Sequence, residues 1–325
     1  MKVAAALLAA ALGSASVLDA QSQASSATER QRPTFKSGSS LVALNVTVTD
    51  SAAKYISDLQ PGDFVVYEDG VKQDVQFFES ASVPVDLILL IDTSSSMSDK
   101  VDVVHEAATG FLKTLRRGDR GAVVTFANSV SVVQPLTEDR AALDQAVRNA
   151  GAHGQTALYN AVYISLKQFG QAAHGAKDVR RQAIVVLSDG EDTASLVSLE
   201  DVMSVARRMG VNIYTVSLQS KTPAPRAEHP GRRFFSDADA AMKTMARETG
   251  AQAFFPGAPD LKHVYSAIAA ELATQYSIGY VPVDNRPDGR FRRVLVQIIT
   301  RPELHPRTRP GYTAEGRASS SSYDE

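Results

Sequence analysis

The sequence predicts an α/β protein in which a doubly wound, mostly parallel sheet is inserted into a small β domain. Three observations support this prediction. Apolar runs of strand length alternate with amphipathic helical stretches through the centre of the chain. Segments with strand alternation lie on both sides of that centre. The chain has 325 residues, 44% of them hydrophobic, which is enough for one large domain and a smaller one.

Composition excludes several functional classes. The chain carries 34 basic and 36 acidic residues, so its net charge of −2 offers no excess of positive charge for a nucleic-acid backbone. It contains no cysteine. This excludes a disulfide framework, a thiolate zinc site and a cysteine nucleophile.

The N-terminus has the pattern of a secretory signal peptide. Met1-Lys2 precedes an apolar run over residues 3–12, and small residues follow, with cleavage expected after Ala15 or Ala20. The pattern predicts a signal peptide over residues 1–20 and an exported protein, periplasmic or extracellular. No later segment is long and apolar enough to span a bilayer, so we expect no transmembrane segment in the mature chain.

Polar, low-complexity stretches flank the folded part. Residues 21–37 are rich in Ser, Gln, Ala and Thr and predict a disordered linker, and residues 314–325 predict a disordered tail.

The first β flank spans residues 38–82. Apolar and polar residues alternate over 42–49, which indicates a strand with one buried face. Residues 64–67 form a second strand, and Asp69-Gly70 predicts a hairpin turn into a third strand over residues 71–78.

The central region, residues 84–275, alternates strands and helices. The run at 86–91 is apolar enough to be buried on both faces of a parallel sheet. The other predicted strands lie at 122–126, 130–133 (an edge strand), 183–187, 213–216 and near Phe254. The predicted helices lie at 101–115, 142–147, 158–169 (ended by Gly170), 199–209 (capped by Ser198 with Asp201) and 261–272. A further helix, capped by Ser236 with Asp239, contains Met242 and Met245.

The second β flank spans residues 276–313. Apolar residues alternate over 276–280 and 294–298, with a turn at 287–289. In a doubly wound domain the first strand begins, and the last helix ends, at the face opposite the ligand edge. The two flanks therefore emerge side by side, and we expect them to combine into one β domain.

Ligands of open α/β sheets bind beyond the carboxyl ends of the strands. The first central strand ends in Asp92, followed by Ser94 and Ser96, and a later strand is followed by Asp189. A loop with Thr156 precedes the helix at 158. Three loops thus deliver carboxylates and hydroxyls to one edge, and such oxygens suit a hard cation such as Mg²⁺, which takes about six oxygen ligands.

This arrangement resembles the metal-ion-dependent adhesion site of von Willebrand factor type A and integrin I domains, over residues 84–275. The resemblance assigns Asp92, Ser94 and Ser96 to the first motif, Thr156 to the second and Asp189 to the third. It implies that Ser94, Ser96 and Thr156 ligate the metal directly, while Asp92 and Asp189 act directly or through water. It implies Mg²⁺, with Mn²⁺ or Ca²⁺ as alternatives, and a protein partner that completes the shell with Asp or Glu.

Each residue also has a simpler interpretation. Ser94, Ser96 and Thr156 are typical helix caps, and Asp189-Gly190 is typical of a turn. The nearby acids Asp99, Glu191 and Asp192 are interpreted as solvated loop or cap charges, and His153 as a solvent-facing loop residue.

Three functions compete. The first is a non-enzymatic, metal-dependent protein-binding module. The second is a metal-dependent phosphohydrolase, although such enzymes place a second acid two residues after the nucleophile, where this chain has Ser94. The third is a structural role in an envelope assembly. The flanking phrases Asp63-Phe64 to Asp69-Gly70, Gln275-Tyr276 to Gly279-Tyr280 and Arg309 to Tyr312 resemble VWFA-related secreted proteins of Acidobacteria.

Overall fold

The computed structural model describes residues 41–80, 83–151, 154–173, 180–189, 192–218 and 236–314. The strands are β1 (Val42–Thr49), β2 (Phe64–Glu68), β3 (Val71–Gln73), β4 (Val75–Ser80), β5 (Val85–Asp92), β6 (Arg120–Phe126), β7 (Val130–Thr137), β8 (Arg181–Ser188), β9 (Asn212–Ser217), β10 (Ala253–Phe254), β11 (Tyr276–Tyr280), β12 (Phe291–Ile298), β13 (His305–Arg307) and β14 (Gly311–Thr313). The helices are α1 (Val101–Leu112), α2 (Arg140–Arg148), α3 (Leu158–Ala173), α4 (Leu199–Met209), α5 (Asp237–Glu248) and α6 (Leu261–Thr274). The predicted signal peptide, the linker and all of the tail except Ala314 lie outside the described residues.

Six strands form the central sheet in the order β10-β9-β8-β5-β6-β7. All neighbouring strands are parallel except β6 and β7, which are antiparallel. Every residue of β5 is buried, because α1, α2 and α6 pack on one face of the sheet and α3, α4 and α5 on the other. The predicted doubly wound, mostly parallel sheet is confirmed.

Two four-stranded sheets form a β sandwich beside the central sheet. One has the order β13-β1-β11-β4 and the other β14-β12-β2-β3. Each sheet takes strands from both ends of the chain, and their facing residues, including Leu44, Val66 and Ile278, form a separate buried core. The two flanks therefore combine into one β unit, with the α/β domain inserted between them, as the sequence predicts.

The predicted strand over residues 71–78 is wrong, because the chain changes sheets within it. β3 pairs with β2 in one sheet, whereas β4 pairs with β11 in the other, and Asp74 separates them. Strands that pass from one sheet to the other are a common way to close a sandwich. The predicted hairpin turn is present, and Asp69 and Gly70 both adopt positive φ, 47° and 83°.

Two other details differ from the sequence prediction. Helix α3 does not end at Gly170 but continues to Ala173. A glycine inside a helix costs only about 1 kcal/mol, which the packing of a long apolar face offsets. The short strands β13 and β14 were not predicted, because three residues are too few to show an alternating pattern. The capping boxes at Ser198 and Ser236 are present.

A buried carboxylate joins the two parts of the fold. Glu271 of α6 is fully buried, and its Oε1 accepts hydrogen bonds from the hydroxyls of Tyr214 (2.8 Å) and Thr47 (3.0 Å). Its Oε2 pairs with the guanidinium of Arg307 at 2.6 Å. Because these groups come from α6, β9, β1 and β13, the network ties the α/β domain to the sandwich.

Gly250 lies at the same junction. Its φ is +75°, and a Cβ atom there would lie 2.4 Å from the backbone nitrogen of Arg309. The guanidinium of Arg309 donates to the carbonyls of Arg207 (2.9 Å) and Ala43 (3.0 Å), one in each part of the fold. Because Gly250 has no Cβ atom, the backbone at Arg309 can approach it closely and lie against both the α/β domain and the β sandwich.

Candidate metal centre

Asp92 ends the central strand β5 and is 2% exposed. Its Oδ1 accepts the backbone N–H of Ser94 at 2.8 Å, and its Oδ2 accepts the hydroxyl of Ser188. Burial raises the pKa of the Asp92 carboxyl, and the charge of Asp189 raises it further, while the hydrogen bonds from Ser188 and Ser94 lower it. The carboxylate is therefore held in one orientation at the carboxyl edge of the sheet.

Ser94 and Ser96 lie on a short turn directly after β5. Residues 95–97 form a single 3-10 turn, and Met97 anchors it in the core with 1% exposure. The two hydroxyl oxygens lie 3.0 Å apart. Neither serine caps a helix, because the side chain of Ser94 makes no capping bond and α1 begins only at Val101. Their simpler interpretation as caps is therefore wrong.

Asp189 reaches the same place from the end of β8. Its Oδ1 accepts the hydroxyl of Ser96 at 2.8 Å, and its side chain is 2% exposed. Asp92, Ser94, Ser96 and Asp189 therefore form one connected set of oxygens drawn from two loops. Asp189-Gly190 is also interpreted as a turn, but Gly190 lies outside the described residues.

Lys100 is a part of this site that sequence reasoning missed. Its ammonium contacts Oδ2 of Asp189 and lies 3.2 Å from the carbonyl oxygen of Ser96, and the residue is only 7% exposed. Its position in the sequence, four residues after the second serine and at the start of a helix, gives no signal that it is buried. The two carboxylates of Asp92 and Asp189 and the ammonium of Lys100 together carry one net negative charge.

Thr156 is held beside the serine turn by its own loop. The backbone N–H of Ser95 donates to the carbonyl of Gly154 at 3.0 Å, and the N–H of Gly154 donates to the hydroxyl of Ser95 at 3.1 Å. Thr156 is 5% exposed, and no hydrogen bond joins its hydroxyl to the other four predicted ligands. The loop that carries Thr156 therefore lies at the site, but the side chain of Thr156 is not hydrogen-bonded to the other predicted ligands.

Two other acidic residues near the site, Asp192 and Asp99, are not bonded to the candidate ligands. Asp192 accepts the N–H of Tyr159 in the first turn of α3 at 3.2 Å, as a capping charge does. The side chain of Asp99 is 59% exposed. Glu191 and His153 lie outside the described residues. Across the described part of the chain, no group of three or more His, Cys, Asp or Glu residues is placed so that it could hold a metal ion.

Three oxygens of the site are spaced much like neighbouring ligands in a magnesium shell. Neighbouring ligands of an octahedral ion at about 2.0–2.1 Å lie about 2.9 Å from one another. The oxygens of Ser94, Ser96 and Asp189 are separated by 3.0 and 2.8 Å. Hydroxyl and carboxylate oxygens are also the ligand types that a hard divalent cation prefers. These residues fit such an ion.

Fold and site together define a class of protein: a doubly wound α/β domain that gathers hydroxyls and carboxylates at the carboxyl edge of its sheet. The model of the von Willebrand factor type A domain matches residues 86–256, more than half of the chain. The chain belongs to the von Willebrand factor type A domain family.

Two relatives each match less than half of the chain. An uncharacterized protein of Borreliella burgdorferi is 24% identical over 149 residues, which are 43% of this chain and 42% of that protein. An uncharacterized protein of Synechocystis is 31% identical over 113 residues, 34% of this chain and 26% of the relative. The matched segments thus span less than half of both relatives.

A solved structure extends the similarity of fold. The alignment with the structure of a von Willebrand factor type A protein from Catenulispora acidiphila covers 82% of this chain and 71% of that protein's chain. Its TM-score is 0.50 and the sequence identity is 16%. In the residues described here, none of the helices has the length and hydrophobicity needed to cross a bilayer.

Proposed function

We propose that this chain holds one divalent cation at the carboxyl edge of its central sheet and uses it to bind a carboxylate of a protein partner. The observation that carries the proposal is the spacing of the oxygens of Ser94, Ser96 and Asp189, which is close to that of neighbouring ligands on one small ion. Thr156, from the adjoining loop, is proposed as a further ligand. Mg²⁺ is the proposed ion, with Mn²⁺ and Ca²⁺ as alternatives.

Charge favours an anionic partner. Two carboxylates and the ammonium of Lys100 leave one net negative charge, and a divalent cation would change it to one net positive charge. Because several of the proposed ligands are neutral hydroxyls, the ion would keep much of its charge. An Asp or Glu side chain of the partner would neutralise it in a partly dry site.

We propose a binding role rather than catalysis. A phosphohydrolase of the aspartyl type needs an accessible carboxylate nucleophile and a second acid two residues after it. Asp92 is 2% exposed, and both of its oxygens accept hydrogen bonds. The position two residues on is Ser94. These features support a carboxylate that orients other ligands.

We further propose that the protein acts outside the cytoplasm. The support is the sequence pattern of residues 1–20, with its lysine, short apolar run and small residues.

The test is a calorimetric titration of the full chain with MgCl₂, using Asp92→Ala and the control Asp144→Ala. Asp144 of α2 pairs with Arg148 and is 29% exposed. We expect one ion per chain for the wild type and the control, and no binding for Asp92→Ala. Melting temperatures without metal would show whether each variant is folded.

Capture experiments separate the competing functions. Cell-envelope proteins retained by the immobilised chain in Mg²⁺ should be released by EDTA and should not bind Asp92→Ala. Retention that is unchanged after metal removal would favour a structural role instead. Turnover of p-nitrophenyl phosphate that depends on Mg²⁺ and Asp92 would contradict a pure binding function.

A further inference from the structure

Leu196 is the most exposed large apolar side chain in the described part of the chain, at 95%. It lies in the segment between Asp192 and α4, which follows the candidate ligand Asp189. Complete exposure of leucine is unfavourable by about 1.5–3 kcal/mol relative to burial, so a chain that holds it in solvent forgoes this stabilisation.

The segment that carries Leu196 is held firmly by hydrogen bonds. The side-chain oxygen Oδ1 of Asn160 accepts the backbone N–H groups of Leu196 (3.0 Å) and Val197 (3.2 Å). The hydroxyl of Ser195 accepts the N–H of Asn160 at 2.9 Å and donates to Asp192 at 2.6 Å. Fraying of the loop therefore does not explain the exposure of Leu196.

The same segment is bonded to the candidate metal centre. The carbonyl of Thr156 accepts the N–H groups of Thr193 (2.9 Å) and Ala194 (3.0 Å). Asn160, whose side chain accepts hydrogen bonds from Leu196 and Val197, lies in the first turn of α3, four residues after Thr156. One turn further along α3, Ile164 is 39% exposed. An apolar projection thus stands beside the edge at which the cation is proposed to bind.

We propose that Leu196 is the second point of contact for the protein partner. This inference rests on the proposed function, in which a carboxylate of the partner binds the cation. The partner would be a protein segment that presents an Asp or Glu side chain and, at a fixed distance from it, an apolar residue or depression that covers Leu196. Because the loop is already ordered, little conformational entropy is lost when it binds. Burial of Leu196 would raise affinity roughly ten- to a hundredfold.

The test uses a phage-displayed library of random twelve-residue peptides, selected on the immobilised full chain in Mg²⁺ and eluted with EDTA. The variant is Leu196→Ser, and the matched control is Val283→Ser. Val283 is 72% exposed in the loop after β11, in the β sandwich. Both variants change an exposed side chain, and equal melting temperatures would confirm that both are folded.

We expect peptides from the wild type and from Val283→Ser to share an acidic residue at a fixed spacing from an apolar one. Peptides from Leu196→Ser should keep the acidic residue and lose the apolar preference. Peptides with the apolar residue should bind Leu196→Ser at least tenfold more weakly than the wild type. Identical peptides and affinities for all three proteins would overturn the role of Leu196 while leaving carboxylate binding intact. An absence of acidic residues and of EDTA elution would overturn the proposed function and, with it, this inference.

Discussion

The ammonium of Lys100 contacts the carboxylate of Asp189 at the edge of the sheet where the cation is proposed to bind. The contact uses Oδ2 of Asp189, while Oδ1 accepts the hydroxyl of Ser96. Lys100 can therefore orient the Asp189 carboxylate through Oδ2 and leave the contact between Oδ1 and Ser96 intact. It also places a positive charge beside the proposed ion, which opposes metal binding and favours an anionic partner.

Replacing Lys100 by methionine should separate these two effects. We expect Lys100→Met to bind Mg²⁺ about tenfold more tightly, because unit charges about 4 Å apart interact by about 1 kcal/mol in water and about 4 kcal/mol near a protein surface. Binding of an acidic partner peptide should weaken. Calorimetric titration with MgCl₂ measures the first effect. Lys100→Arg, which keeps the charge, is the control and should stay close to the wild type. Weaker Mg²⁺ binding by Lys100→Met would show that orientation of Asp189 outweighs repulsion.

Removing the charge of Glu271 should destabilise the whole fold. Glu271→Gln leaves the guanidinium of Arg307 without its buried partner, and loss of one member of such a pair typically costs about 3–5 kcal/mol. Because the side chain of Arg307 is 33% exposed, we expect about 2–3 kcal/mol, measured by urea unfolding at equilibrium. The control Glu303→Gln breaks the surface pair with Arg301 and should cost less than about 1 kcal/mol. Equal losses in both variants would show that the junction does not depend on Glu271.

Two glycines with similar backbone angles should respond differently to alanine. Gly250 and Gly289 have φ of +75° and +71°, so both substitutions cost about 1 kcal/mol through the left-handed conformation. Only at Gly250 would the new Cβ atom meet backbone, 2.4 Å from the nitrogen of Arg309. We therefore expect Gly250→Ala to lose about 3 kcal/mol of unfolding free energy and Gly289→Ala about 1 kcal/mol. If the two variants unfold at the same urea concentration, the close approach does not exist.

Alkaline stability should depend on Tyr55. Burial, followed by the charge of Glu271, raises the pKa of the Tyr55 phenol from its usual 10 to about 12. The folded chain therefore keeps a proton that the unfolded chain loses, and stability must fall as the pH rises from 10 to 12. Tyr55→Phe should unfold with a shallower dependence on pH over this range. The same slope in both proteins would contradict the raised pKa.

Much of the fold follows from patterns that the sequence displays. The apolar run that became β5 and the helical faces of α4 and α6 are long enough for their periodicity to be unambiguous. The break at Asp74 could not be predicted in this way. The residues on both sides of it favour strands, and only the partner sheets distinguish β3 from β4. Pairing between distant strands is a tertiary property, so local sequence cannot reveal it.

The candidate site was predictable to a similar degree. Asp92, Ser94, Ser96 and Asp189 follow from the rule that ligands gather at the carboxyl ends of parallel strands. Lys100 was missed, because a lysine at the start of a helix resembles any solvated residue until the fold shows that it is buried against Asp189. The exposure of Leu196 was missed for the same reason, since it depends on how Asn160 fixes the backbone of that loop.

The most direct measurement is an anomalous difference map from crystals of the full chain grown with MnCl₂. We expect one peak, within about 2.5 Å of the hydroxyl oxygens of Ser94, Ser96 and Thr156. A map without a peak at this edge, or with a peak that Thr156 does not approach, would contradict this expectation.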